Sequence, residues 1–192
     1  MRKRFPWLLF ILLFTILFST GCEDEEGLLA IYAREGLGLI LETDGYSYQP
    51  NLEASLINYI NHRFDVQVIN PRLLVKEDAL LEEFCRRELG LKFLLTINLA
   101  NTNFHEAQPN VDIWSKSVDL KITTSCSLTL IYTLRDLDRA EIINYGQSNG
   151  SSQQVNRVKA GKTGVHVRFK EIDYAELVED AMFNALRRTE LL

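Results

Sequence analysis

Between Ser117 and Leu134 the chain alternates. Val118, Leu120, Ile122, Thr124, Cys126, Leu128, Leu130, Tyr132 and Leu134 hold the even positions, and eight of these nine are apolar. Of the nine odd positions only Ile131 is apolar. A period of two sends successive side chains to opposite faces, so this is a strand with one buried face. At 18 residues it is longer than the roughly 3–10 of an ordinary strand, which predicts a bulge near Thr124 or a strand that outgrows its sheet. EIINYGQ (141–147) is expected to pair back on it across the LRDLDRA turn.

Other segments follow a helical period. Leu52, Leu56, Ile57, Ile60 and Phe64 recur at helical spacing after Pro50, with Asn51 placed to cap. A second helix is expected over 76–89. There Leu80, Phe84 and Cys85 face one way, and Glu82–Arg86 and Glu83–Arg87 are i,i+4 pairs on the wet face. Gly90 is its natural stop. A third helix starts at Asp173, with Glu176 at the capping-box position and Tyr174, Leu177, Val178, Ala181, Met182 and Ala185 as its apolar stripe.

LLAIYA (28–33), DVQVIN (65–70) and Leu91–Leu99 read as strands, and VHVRF (165–169) as a short edge strand. Leu37–Leu41, in a Gly-rich stretch, either extends the first strand or lines a loop. Residues 101–116 and 148–164 are polar and read as long loops. The order is therefore β-α-β-α-β-β-β-α, with VHVRF as one further strand before the last helix. That is an α/β chain of the α+β mixed-sheet kind, one domain with three helices packed on the sheet.

The first residues follow neither period. Arg2, Lys3 and Arg4 precede Trp7–Phe18, which is apolar except at Thr15. Twelve residues fall short of the roughly 20 that cross a bilayer as a helix. A basic start, a short apolar core and the small residues Ser19, Thr20 and Gly21 read as an export signal over 1–21. Residues 22–27 (CEDEEG) form a short acidic tether, and 28–192 the single domain. Taking the signal's three positive charges from the formal −5 leaves −8 on the exported chain. A mildly acidic chain without a dense basic stripe is a poor nucleic-acid binder.

Candidate chemistry is sparse. Gly36 and Gly38 begin a G-x-G without a third glycine. Gly161, Lys162 and Thr163 imitate the end of a phosphate-binding loop, but its first glycine would fall on Asn156. His62, His105 and His166 lack metal-ligand spacing. No G-x-S-x-G is present. Cys85 and Cys126 occupy apolar positions on different elements, which favours two separate buried thiols; a disulfide between them stays open. The reading is of a non-enzymatic protein with no cofactor and no metal, against an exported enzyme whose site is assembled only by the fold.

Two places suggest contact with a partner. Residues 101–116 carry Trp114, the single Trp after the signal, and aromatic residues are enriched at binding anchors. Residues 148–164 carry Arg157, Lys159 and Lys162 with no acid, a local basic cluster that could meet an anionic partner or headgroups. The alternatives are a core plug for Trp114 and a solvated loop for the cations.

Leu17 to Cys22, with small residues ending in Gly-Cys, resembles the lipobox of bacterial lipoproteins, although Ser19 stands where that family usually has Leu. The resemblance implies cleavage before Cys22 and acyl chains such as palmitate on it. Each buried CH₂ contributes about 0.8 kcal/mol, so several chains hold a protein at a membrane where one does not. Five further residues reach at most about 17 Å, which keeps the domain close to the lipid. Glu23 after the cysteine favours the outer membrane over the inner.

The folded part carries LEASLINYINHRFDVQVIN (52–70), LLEEFCRRELGLKFLLTINLA (80–100) and VDLKITTSCSLTLIYTLRDLDRAEIINYG (118–146). Their order resembles an anticodon-binding-like α/β fold of envelope lipoproteins: the curli-secretion lipoprotein (CsgG-like), the penicillin-binding-protein activator (LpoB-like) and the TolB N-terminal domain. QPNLEASLINYINHRF is also similar to the first helix of the lipopolysaccharide-assembly lipoprotein (LptE-like). These resemblances imply a lipid-anchored assembly or accessory factor in the cell envelope, facing the periplasm. It would act by protein–protein contact, with a homo-oligomer possible. A lipopolysaccharide-assembly accessory and a peptidoglycan-synthase activator are the alternatives.

Overall fold

The computed structural model describes residues 27–44, 49–75, 81–114, 117–162 and 164–192. The expected signal, Cys22 and most of the expected tether lie outside the described residues. The order is α1 (Leu28–Arg34), β1 (Leu37–Thr43), α2 (Gln49–Phe64), a 3-10 turn (Pro71–Leu73), α3 (Leu81–Arg87), β2 (Phe93–Glu106), β3 (Asn110–Trp114), β4 (Ser117–Asp136), β5 (Glu141–Gly161), β6 (Gly164–Arg168) and α4 (Tyr174–Leu186). The class is the expected one, a single α+β domain on a mixed sheet. Among the described residues it has four α-helices, one more than expected.

The extra helix is α1. LLAIYA is a helix and not a strand, and Leu37–Thr43 supplies the first strand. A short unbroken apolar run suits a buried strand or a buried helix equally well. The burial decides: Leu29, Ala30 and Ala33 are buried while Ile31 is 44% exposed, which is one face of a helix. Leu29 N donates to Leu191 O at 3.0 Å, so the helix is pinned to the C-terminal segment.

The sheet runs β1-β2-β4-β5-β6, with β3 on β4 beyond the end of β2. Among the described strands only the β1–β2 pair is parallel. The 65–70 segment contributes just an isolated bridge, Ile69 to Gly38. It still shields the β1 edge: Leu39 N donates to Ile69 O (2.9 Å) and Ile69 N to Leu37 O (3.2 Å). The next edge amide, Leu41 N, donates to Glu53 Oε1 at 2.8 Å. Glu53 is 6% exposed and its other oxygen accepts from Asn70 Nδ2 at 2.6 Å. A buried carboxylate is tolerated because both oxygens are bonded.

Asn51 lies inside α2, which already begins at Gln49, so it is not the cap. Asp173 does cap α4, accepting from Ala175 N and Glu176 N. Glu176 pairs with Lys170 at 2.5 Å. Gly90, with φ +65, ends the α3 segment, and Leu91 N reaches back to Cys85 O at 2.9 Å.

The bulge expected near Thr124 is elsewhere. Pairing of β4 with β5 is continuous through Thr124↔Gln154, and the register shifts at Leu134/Arg135; β2 carries its own irregularity between Ala100 and Asn103. The strand is long because it outgrows β2 and takes β3 as a second neighbour.

The main core lies on the even face of β4, under α1, α2 and α4. It includes Leu37, Leu39, Leu41, Leu95, Ile97, Leu130, Leu134 and Met182. A smaller core on the opposite face joins Ile40, Leu94 and Leu137 to Leu81, Cys85 and Leu91. Cys85 and Cys126 are both buried and free, one in each core.

Candidate functional site

Neither predicted loop is a loop. The 101–116 segment is the end of β2 followed by β3, and 148–164 is mostly β5 followed by the turn into β6. β5 was hidden because its core-face positions are small and polar. Ser148 Oγ donates to Ala185 O (2.8 Å) and Ser152 Oγ to Leu177 O (2.5 Å). Between them, a Cβ on Gly150 would lie 1.9 Å from Ala181 O. The backbone of α4 therefore rests directly on the strand, and no large apolar residue fits there to mark it.

These strands bring the sequence-predicted positions to one end of the sheet, in the order β3-β4-β5-β6. Trp114 ends β3, its backbone paired with Ser117. Arg157 and Lys159 lie in β5, and Lys162 in the turn after it. Arg157 is held by Asp119: its Nε lies 2.7 and 3.0 Å from the two carboxylate oxygens, and its Nη2 also bonds the carboxylate. The guanidinium holds the Asp119 carboxyl below its ordinary range against partial desolvation, with Lys159 and Lys121 adding to the effect. Lys159 and Lys162 are exposed.

The feature the sequence reading missed is on the other side of this end. Register places Val111 beside Leu120, then Val158, then Val167; the next row is Ile113, Val118, Ala160 and Val165. Two rows across four strands thus present only aliphatic side chains. Five of the eight stand exposed, among them Ile113 at 76%, Val165 at 66% and Val167 at 62%; Leu120, Val158 and Ala160 are half-buried. Phe169, 62% exposed, follows β6 at their border. The period-2 signal in VDIW and VHVR was available, but five-residue strands with one hydrophobic face look like loop from sequence alone.

The ledge stops at a step. Asn156 Oδ1 accepts from Lys170 N (3.0 Å) and its Nδ2 donates to Lys170 O (3.1 Å), which straps the chain before α4 across β5. Tyr174, at the start of α4, packs edge-on against Phe104 at 5.0 Å. Beyond this line the helix layer ends, about one helix diameter, some 10 Å, above the sheet. Asp173, Glu176 and Asp180 are exposed on the helix side of the step.

Two open depressions lie elsewhere. One of about 400 Å³ is lined by Tyr32, Glu35, Lys92, Phe93, Asp136 and Arg139. Its charges serve the fold: Lys92 pairs with Glu35 at 3.2 Å, and Asp136 Oδ1 accepts from Asp138 N and Arg139 N to close the β4–β5 turn. The other, about 570 Å³, lies between α2 and α4 beside Tyr59, His62, Arg63 and Phe183. Burial pushes the Cys85 thiol up and the Cys126 thiol to about 11, so neither is a ready nucleophile. Among the described residues no group of three His, Cys, Asp or Glu could hold a metal, and no helix is long and apolar enough to cross a membrane.

No family model matches the chain, and no curated protein does. Among solved structures it is similar to a neuraminyllactose-binding hemagglutinin homolog from Helicobacter pylori, at 17% identity over 79% of each chain, with a TM-score of 0.39. It is similar to the LpoB C-terminal domain from Salmonella enterica at 13% identity, covering 69% of this chain and 99% of that one, TM-score 0.34. A lipoprotein from Neisseria meningitidis aligns at 10% identity, over 80% of this chain and 99% of that one, TM-score 0.35. With every one of these scores below 0.5, the functional reading rests on this chain's own surfaces.

Proposed function

We propose that this chain is an exported envelope protein, lipid-anchored through Cys22, that acts as a non-enzymatic assembly or accessory factor by docking a protein partner on the bare ledge of β3-β4-β5-β6. One observation carries the reading: two rows of aliphatic side chains run across four strands at the end of the core-side face, beyond the reach of α4, and five of the eight stand exposed. Contiguous apolar surface of this kind is costly to leave in water and marks interaction sites.

The step favours a protein over a lipid surface. A flat bilayer cannot reach a ledge recessed below a helix, and the exposed acids on α4 repel anionic headgroups. An amphipathic element with an apolar face and a basic flank meets both the ledge and the acidic rim. The short tether keeps such a partner close to the membrane, and Glu23 favours the outer one.

Photo-crosslinking in cells from position 113 or 165, with position 86 on the outer face of α3 as control, tests this. The expected result is one envelope protein captured from the ledge positions only, its capture from position 113 lost with Val165→Asp and capture from both reduced with Cys22→Ala. Capture of the same species from position 86, or capture that survives Val165→Asp, sinks the reading.

A further inference from the structure

The face of β4 and β5 that points away from the main core is uncharged over a long stretch. Register runs Thr133↔Tyr145, Ile131↔Gln147, Thr129↔Asn149, Ser127↔Ser151, Ser125↔Gln153 and Thr123↔Val155. Among these twelve positions there is no Asp, Glu, Lys or Arg. On the β2 side, Asn103 lies beside Ser127 and His105 beside Ser125. The face is open to solvent: Tyr145 is 78% exposed, and Gln147, Asn149, Ser151 and Gln153 are all exposed.

Simple solvation does not account for this composition, because the rest of the same molecule solvates its faces with charge. The next two rows along the same face are Lys121↔Arg157 and Asp119↔Lys159. The outer side of α3 carries Glu82, Glu83, Arg86 and Arg87. In a chain that is 24% charged, charge stops where the strip begins and resumes where it ends.

What replaces the charges is specific. Nine of the twelve positions are Ser, Thr, Asn or Gln, the others being Tyr145, Ile131 and Val155; Ser, Thr, Asn and Gln each both donate and accept hydrogen bonds, whereas a carboxylate only accepts and an ammonium only donates. A ligand whose groups are themselves donor and acceptor at once, and which carries no charge, matches this lattice. Charged side chains would have to be desolvated beneath it at a cost it could not repay. Tyr145 adds one exposed ring at the end of the strip, an apolar face with a polar tip.

Size selects a chain-like occupant. Ten strand steps by three strands make the strip roughly 34 Å long, 14 Å wide and 500 Å² in area. A stable protein interface needs about 800 Å² from each partner, so a second copy seated here alone is undersized. A linear polymer along β4 is not.

We infer that this face binds a neutral glycan strand laid along β4, with Asn149, Ser127 and Ser151 bonding its hydroxyl or acetamido groups and Tyr145 stacking on a ring. The inference is independent of the ledge, which lies at the sheet's end with its apolar rows on the other face.

The test is calorimetric titration of the detergent-solubilised full chain with two uncharged probes, chitohexaose and cellohexaose, and with anionic polygalacturonate as control. Expected is binding of at least one neutral probe, weakened roughly tenfold or more by Asn149→Lys and by Tyr145→Ala. Both positions are exposed, so the variants should keep the wild-type circular dichroism spectrum. Ile113→Asp should bind as wild type, which separates failure here from failure of the ledge reading. No binding of either neutral probe overturns the inference, as does wild-type affinity in both variants. Self-association abolished by Asn149→Lys would assign the face to a second copy and overturn it equally.

Discussion

The two halves of β4 have the same alternation and different fates. From Thr124 to Leu134 the even side chains are buried, with Leu130 and Leu134 at 0% exposure. From Val118 to Ile122 the same pattern continues, yet Val118 is 39% exposed and its neighbours on β3 and β6 more so. The difference is not in the strand. It is in α4, which begins at Tyr174 and lies over one half only. Alternation fixes which face a residue takes; it does not say what covers that face. The odd positions divide at the same place, uncharged beside the covered half and charged beside the bare one.

The sharpest way to break the comparison is to lift α4. Gly150→Val would drive a side chain into Ala181 O, and since the obstacle is backbone the helix must move. A loss of about 3 kcal/mol or more is expected in a denaturant titration, far beyond a surface substitution. Next, the two halves can be set against each other. Leu130→Ala should cost about 2–5 kcal/mol, Val118→Ala about 0.5 or less. Equal costs would mean that the ledge is covered in the isolated protein.

Smaller again is Asp173→Ala, which removes the α4 cap at the edge of the step. About 1 kcal/mol of lost stability is expected, with partner capture changing along with it.

The smallest effect is alkaline. The buried Cys126 thiol is raised from 9.0 to about 11, so the folded state keeps its proton where the unfolded chain gives it up. That stabilisation is whole below pH 9 and is lost as pH rises toward 11. Wild type should therefore lose more stability across this window than Cys126→Ala. An equal loss would show that this thiol is not a buried titrating group.

Much of the architecture was legible. The 117–134 alternation, the return strand from Glu141, the α2 stripe, the Gly90 stop and the Asp173 cap all follow from local periods and caps, which are properties of short segments. LLAIYA was misread because six apolar residues in a row carry no period. Residues 148–161 were misread for the opposite reason: Ser148, Gly150 and Ser152 are core-facing but small, since a helix backbone takes the space. Of the candidate partner positions, Trp114, Arg157 and Lys159 lie on strands and Lys162 in the turn after β5, all at one end of the sheet, and Arg157 pairs with Asp119; their distance in sequence hid that placement.

By itself the sequence determined the class of fold, the long central strand and the face each of its residues takes, because φ/ψ preference and side-chain alternation act over a few neighbours. It also placed Cys22 after a short apolar run. Only the tertiary structure decided that two aliphatic rows would be left without a helix above them and that an uncharged strip would lie behind the helix-covered half. Both depend on how far α3 and α4 reach across the sheet, and that reach is set by long-range packing: Gly150 against Ala181, Asn156 against Lys170, and Leu81 and Cys85 against Leu94.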